Sequence, residues 1–213
     1  KGSDGHIWLM VHSGSRNIGH TIATRHNKIA KELNKKWCSS VPPSYDLAFL
    51  PLNSKEGEEY FTDMSACVHF ARENRKLIVN KCLTVIKEVL PEMFADRPID
   101  VSHNYAVKEH HFGRNLLVHR KGATKAYKDE WCIIPGSQGS ASYIGKGLGN
   151  PDSFKSCSHG AGRKMSRTKA KEVLSLETEQ KILDDQGILH SVRSSKTLDE
   201  AVGAYKDIET VME

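Results

Sequence analysis

Hydrophobic and polar positions change period several times along this chain, and those changes divide it into elements. Residues 6–11 (HIWLMV) form a continuous apolar run, too short for an amphipathic helix, and predict a buried strand. The polar run HSGSRNIG follows as a turn. Residues 18–37 then predict a helix with Ile22, Ile29 and Leu33 on one side. Pro42, Pro43 and Pro51 mark residues 39–51 as a loop. The longest helical pattern covers residues 56–90, where Phe61, Met64, Cys67, Val68, Leu77, Ile78, Cys82, Val85 and Val89 recur at helical spacing. It ends before Pro91, because proline disfavours helical geometry in the residue that precedes it. From Ile99 onward the pattern shortens: residues 99–102, 115–120 and 131–134 predict strands, and one or two further helices fall between Ser166 and Asp185. No internal repeat or low-complexity linker interrupts the chain. The resulting class is α+β, with helices grouped early and a strand-rich region after them.

At 213 residues with 38% hydrophobic and 27% charged residues, the chain can bury a core without a disulfide or metal staple. No run of eighteen apolar residues occurs, which excludes a membrane-spanning helix. The sequence opens at Lys1 and enters its apolar run without a basic region and apolar stretch of signal-peptide type. It therefore reads as a piece of a longer chain. The five cysteines (Cys38, Cys67, Cys82, Cys132 and Cys157) form no CxxC pair, so neither a zinc ribbon nor a thioredoxin-like motif is present. Scattered thiols without an export signal predict a reducing, cytoplasmic location.

The formal net charge of +5 conceals an asymmetry. Residues 172–213 hold ten acidic and four basic residues, whereas the rest of the chain holds 27 basic and 16 acidic. Lys155, Arg163, Lys164, Arg167, Lys169 and Lys171 form a stretch with no acidic residue. Lys108, Arg114, Arg120, Lys121, Lys125 and Lys128 form another, interrupted by Glu109 alone. Clustered cations in loops point to a phosphate-rich partner, because each neutralised phosphate releases condensed counterions. A single such cluster is better explained by a solvated basic face; two that enclose glycine-rich, histidine-bearing motifs favour the partner.

Most of the eleven histidines need no special role. His20, His26 and His69 sit within predicted helices as surface or satisfied interior residues. His110 and His111 are neighbours on an extended segment and face opposite ways. His12 and His103 each end a strand-like run, a placement suited to a preorganised metal site but equally compatible with ordinary structure. Arg16 supplies a planar cation fitted to phosphate. Three glycine- and serine-rich loops follow: HRKGAT, PGSQGSASYIGKG and SHGAGR. Each can present backbone N–H groups to an anion, and each can also be a plain tight turn. The middle loop is not a Walker A motif: five residues separate Gly139 from Gly145, and Gly147 follows the lysine where Ser or Thr is needed. The SHGAGR loop sets His159 between a serine and a glycine turn, with Arg163 and Lys164 beyond. That arrangement suits a histidine nucleophile attacking phosphorus, with cations to offset phosphoryl charge. Histidine, with a reference pKa of ~6.5, can do so near neutral pH without a strong base.

Taken in order, HSGSRNIG, DVSHNYA, HRKGAT, IPGSQGSASYIG and SHGAGRKMSR resemble the motifs of the RtcB family of RNA ligases, and the resemblance runs from GHIWLMV to GAYKDI. It implies an RtcB-like α+β fold, with helices packed on sheets that carry the glycine-rich loops. It also implies a single partial catalytic domain over residues 1–213. The implied reaction joins RNA ending in a 2′,3′-cyclic phosphate or 3′-phosphate to RNA with a 5′-hydroxyl, using GTP and manganese. Carried over by motif, His159 is the residue that becomes guanylylated, and His12 and His103 are metal ligands. His103, Asn104, Lys121, Pro135, Gly136, Ser137, Gln138, Ser142, His159, Gly160, Ala161 and Gly162 match nucleotide-holding stretches. Tyr205 matches an aromatic that stacks on guanine, and Arg16 and Arg163 match RNA-phosphate contacts. The resemblance further implies broken RNA such as tRNA halves as partner, a monomer, no membrane, and room for an archease-type activator. The family's Asp-x-Cys ligands, its GGGNHF segment and its C-terminal lysine have no counterpart here. Two other classes stay open on the residues alone: an RNA-binding module without chemistry, and a metal-dependent phosphodiesterase using His12 and His103.

Overall fold

Ser54 is the residue that starts the longest element of the molecule. In the computed structural model, which describes residues 1–213, its Oγ accepts a hydrogen bond of 3.1 Å from the Gly57 amide. That caps a 35-residue helix, Lys55–Val89, with Glu56 and Glu58 in its first turn. Both features favour a helix start, the first by satisfying an orphan N–H and the second by meeting the positive end of the dipole. Gly57 is required there, because a Cβ would come within 2.0 Å of the Pro51 carbonyl oxygen. The preceding helix, α1 (Arg16–Lys36), ends on Lys35 and Lys36, cations at the negative end of its dipole. The long helix is α2. The chain divides into two compact units, Lys1–Asp100 and Val101–Glu213, and each is described by itself.

In the first unit α1 packs on α2. His26 of α1 is buried, and its Nε2 hydrogen-bonds the Asp63 carboxylate of α2 at 2.8 Å. Asn34 donates to the carbonyls of Ala30 and Phe49 and accepts from the Phe49 amide, pinning the proline-rich loop to α1. His20 and His69 are exposed on their helices. The apolar run at residues 6–11 does not form a strand: it pairs with no other segment, and Ile7 is 86% exposed. Residues 99–102 likewise form no strand. Both runs have strand-like composition, but a strand needs a partner's N–H and C=O groups as well as apolar side chains. The helical stripe on α2 is real in period: Phe61, Met64, Cys67, Val68, Ile78 and Cys82 are half-buried, whereas Leu77, Val85 and Val89 are exposed.

The second unit carries three antiparallel two-stranded sheets: β1–β2, β3–β6 and β4–β5. Their strands are β1 (Asn104–His111), β2 (Arg114–Lys121), β3 (Ala123–Lys125), β4 (Trp131–Ile134), β5 (Tyr143–Lys146) and β6 (Ser156–Ser158). A two-residue turn joins β1 to β2, with Phe112 at φ +52° and Gly113 at φ +73°. Two successive positive φ values are what a type I′ hairpin turn demands. His110 is exposed and His111 buried, as alternation on a strand requires. After β6 come α3 (Arg167–Val173) and α4 (Leu176–Asp184), capped by the Ser166 and Ser175 hydroxyls, and a short C-terminal helix α5 (Ile208–Met212). Leu183, Val192, Leu198 and Ala201 form the apolar core here, with Leu174, Leu176, Ile188 and Val202 against it. The mixture of helices and antiparallel sheets is α+β. No helix is long and apolar enough to cross a membrane.

Candidate active site

β2 and β3 follow one another with only Gly122 between them, yet they belong to different sheets. The chain bends at Gly122, whose φ of +68° is open to glycine at no steric cost. Its amide donates to the His103 carbonyl at 2.9 Å. Its own carbonyl meets Nδ1 of His159 at 2.7 Å. A Cβ at this position would stand 3.2 Å from the His159 ring, so the close approach also needs glycine. His159 emerges one residue past β6 and is half-buried, and its ring centroid lies 4.7 Å from that of His103. Two imidazoles from distant motifs thus meet around one glycine.

The turn after His159 is held from two sides. The Pro135 carbonyl, just past β4, accepts from the Ala161 amide at 2.9 Å. A Cβ on Gly160 would sit 2.9 Å from the same oxygen. Ser158 Oγ donates to the Gly160 carbonyl at 2.7 Å. On the other side, Lys206 N donates to Gly162 O and Lys164 N to Ala204 O, and Arg163 and Tyr205 form a β-bridge. Asn104 lies opposite Lys121 in the β1–β2 register. The Pro135-to-Ser142 loop is stitched internally: Gly136 N donates to Ser142 Oγ, Ser137 N to Ser140 Oγ, and Gly139 N to Ser137 Oγ. Gln138 Nε2 reaches the Glu200 carbonyl at 3.3 Å.

Arg163 is occupied within the unit. Its Nε donates to the Met165 carbonyl, Nη1 to the Tyr205 hydroxyl and Nη2 to the Asp199 carbonyl, and its guanidinium lies 5.0 Å from the Tyr205 ring centroid. Tyr205 also donates to the Glu200 carboxylate. Burial, followed by that carboxylate, raises the Tyr205 phenol above its ordinary pKa. Arg167 pairs with Glu200 and Lys171 with Asp199, so the acidic C-terminal stretch neutralises part of the 155–171 basic cluster. Lys108, Arg114, Lys121, Lys128, Lys164 and Lys169 make no ion pair.

His12 and Arg16 belong to the first unit and His103 to the second. Both first-unit residues are exposed, and Arg16 takes a φ of +56°. Their loop is tied to α2: Asn74 donates to Ser13 Oγ and Gly14 O, and Arg75 to Ser13 O. No group of three or more His, Cys, Asp or Glu side chains gathers to hold a metal ion.

Sequence reasoning passed over a buried polar network beside the site. Arg120 of β2 forks onto Glu109 of β1 at 2.8 and 2.9 Å, and His111 Nε2 reaches the same carboxylate at 2.8 Å. The Arg120 hydrogen bond, with His111 behind it, holds the Glu109 carboxyl down at about 2. A lone Glu109 in an otherwise basic stretch was the available signal.

A family model described as tRNA-splicing ligase RtcB matches residues 2–213. An RNA-splicing ligase RtcB of Escherichia coli K12 is 40% identical over 216 residues, covering 97% of this chain and 51% of that protein. The tRNA-splicing ligase RtcB of Methanococcus maripaludis is 36% identical over 229 residues, covering 96% and 48%. That of Thermococcus kodakarensis is 34% identical, covering 99% and 48%. The chain thus spans about half the length of the curated relatives it matches. With the five motifs in order and the match running through nearly every residue, the chain belongs to the RtcB family of tRNA-splicing ligases.

Proposed function

We propose that this chain is the guanylyl-accepting part of an RNA ligase that uses GTP and manganese. It joins 2′,3′-cyclic-phosphate or 3′-phosphate RNA ends to 5′-hydroxyl ends. The observation that supports this reading most directly is the 2.7 Å contact between His159 Nδ1 and the Gly122 carbonyl. A carbonyl oxygen can only accept, so Nδ1 carries the proton and the Nε2 lone pair is left for chemistry. On this reading Nε2 attacks the α-phosphorus of GTP. An N–P bond forms as the P–O bond to pyrophosphate breaks, and the Gly122 carbonyl offsets the positive charge that develops on the ring. A 2′,3′-cyclic phosphate is first opened by water at its P–O2′ bond to give the 3′-phosphate. The guanylyl group then passes to the RNA 3′-phosphate, which restores the neutral imidazole, and the 5′-hydroxyl displaces GMP.

His103 and Asn104, Lys121, Pro135 to Gln138, Ser142, Gly160 to Gly162 and Tyr205 are the proposed nucleotide contacts. Arg16 and Arg163 are the proposed RNA contacts, with Arg163 also holding Tyr205 and the turn. Manganese, when bound, supplies positive charge to phosphate oxygens. His12 and His103 are the ligands this chain would offer. Because the Asp-x-Cys ligands have no counterpart in the sequence, the 213 residues alone do not ligate RNA on this reading. Incubation of a full-length ligase carrying this chain with α-labelled GTP and manganese tests it. The protein should retain label, and His159→Ala should abolish it while remaining folded. Label retained undiminished by the folded variant overturns the proposal.

A further inference from the structure

We infer that Arg120 is a positioning residue for His159, acting across the Gly122 bend through Ser156 and the Phe154 carbonyl; this rests on the reading of His159 as guanylyl acceptor. The acceptor that fixes the His159 tautomer is the carbonyl of the bend itself. Its position therefore depends on how the β1–β2 sheet is set against β6. The β3–β6 ladder that carries His159 has only three residue pairs: Ala123 with Ser158, Thr124 with Cys157 and Lys125 with Ser156. An isolated two-stranded ladder is marginal in water. Something else must hold the bend in register with β6.

Arg120 supplies that hold. Its side chain is 1% exposed and stands two residues before the bend. Nε donates to Ser156 Oγ at 2.9 Å, at the first residue of β6, and Nη2 donates to the Phe154 carbonyl at 3.1 Å. The remaining N–H groups go to Glu109 at 2.8 and 2.9 Å and to the Tyr105 hydroxyl at 3.3 Å. All five guanidinium N–H groups are thereby used, three on β1 and two on the segment that enters β6. A buried ion pair is a weak device for stability alone, since apolar side chains of similar volume serve as well. A planar fork that fixes two sheets in one orientation is a strong device for geometry. Lysine keeps the charge that Glu109 needs but cannot reach Ser156 and Phe154 at the same time. Arg120→Lys is therefore the informative variant.

The test uses a full-length ligase carrying this chain, with two readouts. One is the single-turnover rate and apparent KM for GMP transfer from GTP to His159. The other is the ring-nitrogen spectrum of His159 in protein labelled with 15N-histidine. Arg120→Lys should lower the rate about 10²-fold, the scale of a misplacement of about 1 Å, with the KM for GTP little changed. The ring should shift from the Nδ1–H tautomer to a mixture. Ser156→Ala removes one acceptor and leaves the ion pair intact, and should lower the rate about fivefold. Val192→Ala, which opens the apolar core of the same unit, should lower the melting temperature and leave rate and tautomer unchanged. Wild-type rate and tautomer in folded Arg120→Lys and Ser156→Ala overturn the inference. If Arg120→Lys does not fold, Ser156→Ala decides alone. Absence of any adduct on wild-type His159 is a different result: it removes the reading of His159 and this inference with it.

Discussion

The loop holding His12 in the first unit and the turn holding His159 in the second are each fastened by an arginine that forks onto a carboxylate. Arg75 reaches Asp100 at 2.6 and 3.0 Å and gives its remaining contact to the Ser13 carbonyl. Arg120 reaches Glu109 end-on through Nη1 and Nη2 and gives Nε to Ser156 at the start of β6, whereas Arg75 holds Asp100 through Nε and Nη2. Their surroundings differ. The Arg75 and Asp100 side chains are 14% and 34% exposed, whereas those of Arg120 and Glu109 are 1% and 8% exposed. Water and salt can replace what the first pair gives, and neither can reach the second. The same chemical device is thus a surface tether in one unit and an internal brace in the other.

The largest expected effect follows from that contrast. Arg120→Ala strands a buried carboxylate and should cost about 3–5 kcal/mol, while Arg75→Ala should cost about 1 kcal/mol or less. Denaturant titration of the two variants checks it; equal losses would erase the distinction between brace and tether. Gly122→Ala comes next. Its φ of +68° makes a side chain cost about 1–2 kcal/mol, and the added Cβ would press on the His159 ring at 3.2 Å. Stability should fall by that amount, and GMP transfer should fall much further. A variant that loses stability but keeps its rate would break the link between the bend and the nucleophile.

Acid offers a gentler probe of the brace. The folded pKa of Glu109 is depressed from its ordinary 4.5 to about 2. Its contribution is therefore fully present above the ordinary value and is lost as pH falls through about 2. The stability difference between wild type and Glu109→Gln should be largest at pH 5 and should shrink toward pH 2. Melting temperatures across that range measure it, and a constant difference would show that the carboxylate charge does not serve the brace.

The sequence made the helices as far as α4 and two of the strands legible because their signals are local, whereas β1 and α5 are not among its expectations. α1, α2, β2 and β4 fall where periodicity, Pro91 and apolar runs place them. Residues 6–11 and 99–102 carry equally good local signals and form no strand, because pairing is a property of the partner as much as of the run. The short strands β3, β5 and β6 lie inside motifs whose glycines and serines read as loop. In the site, the gathering of His103, Pro135, Gly160, Ala161 and Tyr205 around the His159 turn follows the motifs. The commitment of Arg163 does not: nothing acidic lies near it in sequence, and apart from the Met165 carbonyl its partners are Asp199, Glu200 and Tyr205, far along the chain. Arg120 reads in the sequence as one cation of the 108–128 cluster, and its buried role is hidden for the same reason, since Ser156 and Phe154 stand more than thirty residues away.

Under the proposed function, His159, with Nδ1 held on the Gly122 carbonyl, takes the guanylyl moiety on Nε2. Tandem mass spectrometry of peptides from a GTP- and manganese-treated full-length ligase carrying this chain tests it most directly. A GMP mass increment is expected on the peptide containing SHGAGR, localised to His159. The same increment on any other histidine, or on a lysine such as Lys121, would contradict it.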